Sequence, residues 1–456
     1  MRSRAPLNSF GLKALVVVVL ALLLQPLVYL FIRAGEKSSS EILNLLTRQK
    51  TLEVLLTTLS LLVIVVVINI VLGTAMAAGL HYVKIPSPRL FLVACILPLA
   101  IPSYVFTYTW KALFPSMQGI WAGAFILALS TMPYMILTVL IAFQKIDLGI
   151  IEVGRSLGLS KVAIFFRIIL PQVRRSISAG ALLSGLYVLS DFGAVSLLNV
   201  ETLTVSISNL FKSSYDRGAA SVIGILLFLA AAIFIAFETT LKGRDFETRG
   251  NEGFQNSMRR VDRPGLSLVA IGILGSYLIC SVAVPFYVLI SRFLANPAAV
   301  EIKDLLTAAA ATISVAALGA LMAFALSLPL ALLISQGKGR FVTASERLIL
   351  ISHALPGVVV GLALVSFGSR LGSLYQSIYL LAFAYAVLFL AKSVASTSSA
   401  LALVSPQLKE VAATLGKSKS KIATDVVFPI ALPSMSLGIL LVFLTAMKEL
   451  PATLML

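Results

Sequence analysis

Runs of about 20 apolar residues, each long enough to cross roughly 30 Å of hydrocarbon, recur from one end of this chain to the other. They lie at Leu12–Ile32, Val54–Leu80, Leu90–Trp110, Ile120–Phe143, Ser176–Leu198, Ala219–Phe237, Leu266–Ile290, Leu305–Ile334, Leu348–Phe367 and Tyr375–Ala391, and from Leu432 into the C-terminus. That is eleven expected membrane spans and an all-α polytopic fold. Composition supports lipid as the solvent. Apolar residues make up 59% of the chain and charged residues 12%, whereas a soluble domain carries roughly 25% charge. The net charge of +17 does not point to nucleic acid. Its basic residues sit in short loops between apolar runs, with no aromatic or motif context around them.

With the N-terminus in the cytoplasm, most of the 36 Lys and Arg residues fall in cytoplasmic segments and helix ends, as the positive-inside rule requires. The first run follows Arg2, Arg4 and Lys13, which also suits a signal peptide. Its length and the lack of a small-residue cleavage site favour a retained helix. Cys95 and Cys280 both fall inside apolar runs, so no disulfide framework is expected.

The chain is duplicated. At an offset of 258 residues, Leu97-Pro98 falls on Leu355-Pro356, Glu152 on Glu410, Gly158 on Gly416, Pro171 on Pro429, Gly180 on Gly438 and Asp191 on Glu449. Such self-similarity marks a repeated architecture. The polar stretch 242–264 separates a first repeat, 1–241, from a second, 265–456. An even number of spans per repeat gives both the same orientation, related by an axis along the membrane normal. Six spans are expected in the first half and five in the second, which ends in an apolar run; a twelfth span is expected beyond the sequence.

The most informative segment follows the fourth span: Glu152-V-G-R-S-L-Gly158-L-S-K-V-A-I-F-F-R-I-I-L-Pro171. Its counterpart reads Glu410-V-A-A-T-L-Gly416-K-S-K-S-K-I-A-T-D-V-V-F-Pro429. Each glycine is placed to end one helix at positive φ, and each proline to open the next span. Between them, Val162, Ile164 and Phe165, and Ile422, Val426 and Val427, are apolar positions suited to a partner, with Lys161 and Lys419 solvated. The alternative is an interfacial amphipathic helix.

This pair resembles the coupling loops of binding-protein-dependent permeases of ATP-binding-cassette importers, which carry an E-A-A-x3-G pattern. The resemblance implies a type I importer permease fold of two six-helix repeats. It also implies a cassette ATPase dimer docked on the cytoplasmic side at Glu152, Gly158, Pro171, Glu410, Gly416 and Pro429, and a periplasmic substrate-binding protein. The protein would sit in the bacterial inner membrane, with ATP bound by the partner ATPase. The first copy departs from the pattern at Gly154-Arg155, where the second keeps Ala412-Ala413.

Other motifs do not hold. Gly416-Lys417-Ser418 lacks the upstream glycine of a phosphate loop, since Val411 occupies that position. Asp191-Phe192-Gly193 has no other kinase element with it. His81 and His353 are far apart with no cysteine nearby, so structural roles are expected and no metal site. No hydrolytic centre is visible, so the chain itself is not read as an enzyme and no cofactor is expected in it.

For the cargo, three segments resemble fused ferric-iron permeases: Leu97-P-L-A-I-P-S-Tyr104, Ser190-D-F-G-A-V-S-L-L-N-V-E-T-L-T-V-Ser206 and Met447-K-E-L-P-A-T-Leu454. Fused thiamine permeases share the duplication and the loops, and permeases for polyamines or phosphonates are further alternatives. Carboxylates in a membrane interior are costly, and carboxylate and phenolate oxygens suit hard cations. Asp191, with Tyr187 one turn earlier, and its repeat mate Glu449 are therefore expected along an ion path. The competing reading is that Asp191 caps a helix end or meets the binding protein at the outer mouth, and that Glu449 pairs with Lys448. An ion-coupled secondary transporter is the rival class; such proteins rely on intramembrane acids, and this chain has few.

Overall fold

The computed structural model describes residues 9–146, 148–212, 214–241, 263–295, 301–335, 337, 339–353, 355–370 and 372–456. The protein is an all-α, multi-spanning membrane protein, and no sheet occurs among the described residues. Among the described residues, eight helices are long and apolar enough to cross a membrane: Phe10–Ala34, Gln49–Tyr82, Gly119–Gln144, Arg217–Phe237, Pro264–Ala295, Ile302–Ser335, Ile378–Ala402 and Ala423–Ala446. Each overlaps one of the expected runs, though the last ends at Ala446, short of the C-terminus. Most of the expected linker, 242–262, lies outside the described residues.

The three remaining runs depart from simple spans. Leu90–Trp110 is a bent pair, Pro88–Ala100 and Ser103–Leu113, turned by 95°. Ile101, immediately before Pro102, is forced to β dihedrals (φ −93°, ψ 122°), since a proline ring crowds the α conformation of its predecessor. Leu348–Phe367 is likewise split, into Arg340–His353 and Gly357–Gly368, with Pro356 extended at the break. The expected Ser176–Leu198 span is the helix Leu170–Ser190, which carries Arg174 and Arg175 and stops at Asp191.

By contacts the chain forms two compact units, one of 1–45, 207–228 and 300–456, the other of 46–206 and 229–299. In the second unit the central helix is Gly119–Gln144. Its Met132, Met135, Ile136, Val139 and Phe143 form a core with Met76, Leu80, Ile164, Val173, Leu274 and Tyr277. Pro133 is accommodated inside this helix; neighbouring helices can satisfy the backbone group it frees. Asn69 is fully buried, and its amide Nδ2 donates to Thr131 Oγ1 at 2.6 Å.

The other unit has its own core, with a close helix approach at Gly319. Val315, Ala316, Ala320 and Ala323 face Ala382, Tyr385, Ala386 and Phe389. A Cβ on Gly319 would lie 2.8 Å from Tyr385 Cβ, so only glycine permits this backbone approach. Small residues drive such packing because lipid offers no hydrophobic gain between helices. Ser327, at the repeat position of Asn69, is also fully buried and shares a 3.1 Å hydrogen bond with Thr397. In the helix Ser9–Ala34, Val16, Leu23 and Leu30 are buried along one seam, while Val17, Val28, Phe31 and Ile32 are exposed on the face left to lipid.

Candidate functional site: the paired loops and the helix breaks

The two loop segments are built alike. In the first, helix Leu148–Ser156 ends at Gly158 (φ +78°), and the chain continues as Lys161–Ile164, a π turn Phe165–Ile169, and the helix Leu170–Ser190. In the second, Pro406–Thr414, Gly416 (φ +77°), Lys419–Ile422 and a π turn Ala423–Val427 follow at the same 258-residue offset, leading into Phe428–Ala446. Both turns are closed by the same pair of hydrogen bonds. Leu159 N donates to Gly154 O and Gly158 N to Arg155 O (3.1 and 2.9 Å); Lys417 N donates to Ala412 O and Gly416 N to Ala413 O (3.2 and 3.0 Å). This is the Schellman closure, which needs a left-handed residue at its turn.

Pro171 and Pro429 stand in the first turn of the α-helices Leu170–Ser190 and Phe428–Ala446. Each follows a π turn inside a continuous helical run, where Leu170 N reaches back to Phe165 O and Phe428 N to Ala423 O. A wide turn placed just before a proline relieves its clash with the preceding turn and absorbs its missing donor.

Glu152 and Glu410 are exposed. Around them runs an apolar stripe that sequence reading passed over: Ile150, Val153 and Leu157 in the first copy, Leu408, Val411 and Leu415 in the second, all exposed. The spacing puts each trio on one helix face. Leu157 and Leu415 are 75% and 76% exposed, so both copies hold out the same side chain. By contrast Ile164, expected to face a partner, is buried in the core around Gly119–Gln144. The Lys161 and Lys419 side chains lie outside the described residues.

Asp191 terminates Leu170–Ser190 and is buried. Its Oδ1 accepts the amide of Ala194 (3.0 Å) and that of Val195 (3.4 Å), and its Oδ2 accepts the hydroxyl of Ser103. It thereby caps the short helix Gly193–Leu197. Glu449 does the same one repeat later, accepting the amide of Ala452 at 3.2 Å ahead of Pro451–Met455. Capping is thus a role that both acids perform. Tyr187 is half-buried, its ring 6.4 Å from that of Tyr134, and its carbonyl receives the Asp191 amide at 2.9 Å.

Sequence reading also passed over Lys392, in the span Ile378–Ala402. Its ammonium lies 5.2 Å from the Phe389 ring centre and within electrostatic reach of Glu449 and Lys448. The signal was a single lysine inside an apolar run, the kind of residue that a membrane interior rarely keeps without a function. His81 packs against Tyr82 and Phe143. Among the described residues no group of three or more His, Cys, Asp or Glu is placed to hold a metal ion.

The family described as "Binding-protein-dependent transport system inner membrane component" matches residues 69–244 and 327–456, two stretches that begin 258 residues apart. The chain belongs to this family. It is the permease subunit of an ATP-binding-cassette importer. Among similar proteins, the Fe(3+)-transport system permease protein FbpB 2 of Haemophilus influenzae is 31% identical over 98% of this chain and 89% of its own length. The sulfate transport system permease protein CysT of Salmonella typhimurium is 26% identical over 53% of this chain and 95% of its own length. The spermidine/putrescine permease protein PotB of H. influenzae is 32% identical over 23% of this chain and 39% of its own. Membership of this family sets aside the ion-coupled secondary transporter.

Proposed function

We propose that this permease conducts ferric iron across a bacterial inner membrane, receiving it from a periplasmic binding protein and driven by a cassette ATPase dimer. The observation that carries the iron reading is the likeness to the ferric permease, which runs through both halves of the chain; the sulfate and polyamine relatives match about half of it or less.

In this reading the two repeats, 1–241 with six spans and 265–456 with five, are parallel and joined by 242–264, with the N-terminus in the cytoplasm. The segments 152–171 and 410–429 are the coupling loops. Their matched turns and apolar stripes support one ATPase subunit docking on each, beside Glu152 and Glu410. Gly158 and Gly416 set the turn; Pro171 and Pro429 set the rigid exit into the membrane. Cysteines placed at 157 and 415 should both react with an impermeant thiol reagent from the cytoplasmic side, whereas inverted repeats would put them on opposite sides.

The ion path passes Asp191, Tyr187 and Glu449. Helices broken within a membrane, with a charged group at the break, are where transporters hold their cargo, and both halves break there. The test is radio-iron uptake by proteoliposomes holding the permease, its ATPase and its binding protein. The double variant Asp191→Asn, Glu449→Gln should assemble normally and take up iron more slowly. Wild-type uptake by that variant would leave both acids as caps only.

A second reading has one observation in its favour. Lys392 and Lys448 outnumber Glu449 in their neighbourhood, which suits an oxyanion cargo. Sulfate uptake by the same proteoliposomes in place of iron would establish it.

A further inference from the structure

Beside the end of helix Ser9–Ala34 the molecule has a cleft of about 210 Å³, whose other wall is the end of Gly357–Gly368 and the residues after it. The cleft has two chemistries. Val28, Ile32 and Phe367 give it an exposed apolar side. At the other side Tyr29 and Ser366 share a hydrogen bond of 2.8 Å, and Arg217 donates to Ser366 Oγ at 3.4 Å.

The charges around the cleft do not cancel. Arg33 Nη1 donates to both carboxylate oxygens of Glu36 (2.7 and 2.9 Å). Lys37 donates to Asp216 at 2.8 Å. The amide of Ala219, and then Lys37, hold the Asp216 carboxyl below its ordinary range, while Asp216 raises the Lys37 ammonium. These four groups neutralise one another in pairs. Arg217 and Arg370 have no carboxylate partner among the described residues; the Arg217 guanidinium lies 5.9 Å from the Phe211 ring centre, and Arg370 is exposed beside the cleft.

We propose that this cleft binds the headgroup of an anionic phospholipid. The phosphate takes the two unmatched guanidiniums and the Ser366 and Tyr29 hydroxyls, and the acyl chains lie along Val28, Ile32 and Phe367. Size favours this ligand over a metabolite, since pockets for drug-sized molecules run to about 300–1,000 Å³. The apolar side favours it over a soluble oxyanion, which would use the arginines alone. A zwitterionic lipid brings its own ammonium towards Arg217 and Arg370 and loses the electrostatic gain, worth about fivefold per basic residue.

Native mass spectrometry of the detergent-solubilised permease, titrated with phosphatidylglycerol or phosphatidylcholine of the same acyl chains, tests the proposal. Phosphatidylglycerol should bind at least about tenfold more tightly. Arg217→Gln with Arg370→Gln should bring it to the level of phosphatidylcholine. Arg370→Glu, at an exposed position, should reverse the preference on its own. Arg33→Gln, whose partner is Glu36, should change it less. Equal binding of the two lipids, or a preference that survives Arg370→Glu, overturns the proposal. So does displacement by millimolar inorganic phosphate alone, which would assign the cleft to a soluble oxyanion.

Discussion

In the segment 148–171 the chain reverses at Gly158 and lays Leu159 back towards Gly154, whereas in 406–429 it reverses at Gly416 and sends Lys417 to Asp425, 2.7 Å away. The hydrogen bonds of the turn are the same; the side chains that close it are not. A Cβ on Gly154 would lie 2.6 Å from Ile168 Cδ1. The second copy has Ala412 at that position and the shorter Val426 opposite. Glycine with isoleucine and alanine with valine are two ways to fill one space. The departure of the first copy from the E-A-A pattern is therefore a packing exchange, and Arg155, which replaces Ala413, stands at an exposed position that tolerates either. Both copies keep the positive-φ glycine, and both keep the exposed stripe apolar, with Ile150 in the first where the second has Leu408. A partner that reads both would need no more.

The largest effect is expected at that stripe. If both copies dock an ATPase, Leu157→Asp and Leu415→Asp should each cost about 2 kcal/mol of association, roughly 30-fold in affinity, with the membrane fold unchanged. Co-purification of the ATPase with each variant measures it. A loss at one copy only would break the equivalence of the two segments. Retained docking with weaker membrane association would make the stripe an interfacial anchor.

Next come the turns. Nothing lies within 4 Å of a Cβ built on Gly158 or Gly416, so any penalty there is conformational and not steric crowding by neighbours. Gly158→Val and Gly416→Val should each cost about 1–3 kcal/mol and slow ATP-driven uptake. Gly416→Asn should cost much less, because asparagine visits the left-handed region readily. Equal damage from valine and asparagine would mean that the glycine matters for something other than its φ.

These elements differ in how far the sequence exposes them. The apolar runs, the duplication and the paired glycines were legible, because length, period and φ preference are local properties. The broken spans were only half legible. Pro98 aligns with Pro356, yet the first break falls at Pro102, one helical turn later, and Pro98 sits in a 3₁₀ turn before it. Which of two nearby prolines breaks a helix depends on tertiary packing. The exposed stripe was hidden for a similar reason: Ile164 and Leu157 are equally apolar, and only the fold shows which is covered. Lys392 stood in plain view, but its neighbours Glu449 and Lys448 are more than fifty residues away in sequence.

A smaller effect tests the packing exchange. Gly154→Ala should destabilise the first segment by about 1 kcal/mol, at the low end for overpacking, because Ile168 Cδ1 is the free end of a side chain. Ile168→Val in the same molecule should restore it, reproducing the second copy. In the other direction, Ala412→Gly should cost about 0.5–1 kcal/mol through backbone freedom. Hydrogen exchange of the amides at 158 and 159, and at 416 and 417, follows each turn separately. Failure of the Ile168→Val rescue would show that the two interiors are not interchangeable.

The smallest effect concerns how each turn is closed. The Lys417–Asp425 pair is well formed, but its side chains are 40% and 44% exposed, so solvent and salt screen it and its contribution should be small. Leu159 closes the first turn by apolar contact near Gly154, which salt does not screen. Raising salt from about 0.1 to 1 M shortens the Debye length from about 10 to 3 Å. Amide exchange at Lys417 should then quicken while exchange at Leu159 stays level. Lys417→Ala should show the faster exchange at low salt and lose the salt response. Lys417→Leu should close the second turn as the first is closed and make it insensitive to salt. If both turns respond to salt alike, the ion pair is incidental, and the two segments are held by their backbone hydrogen bonds alone.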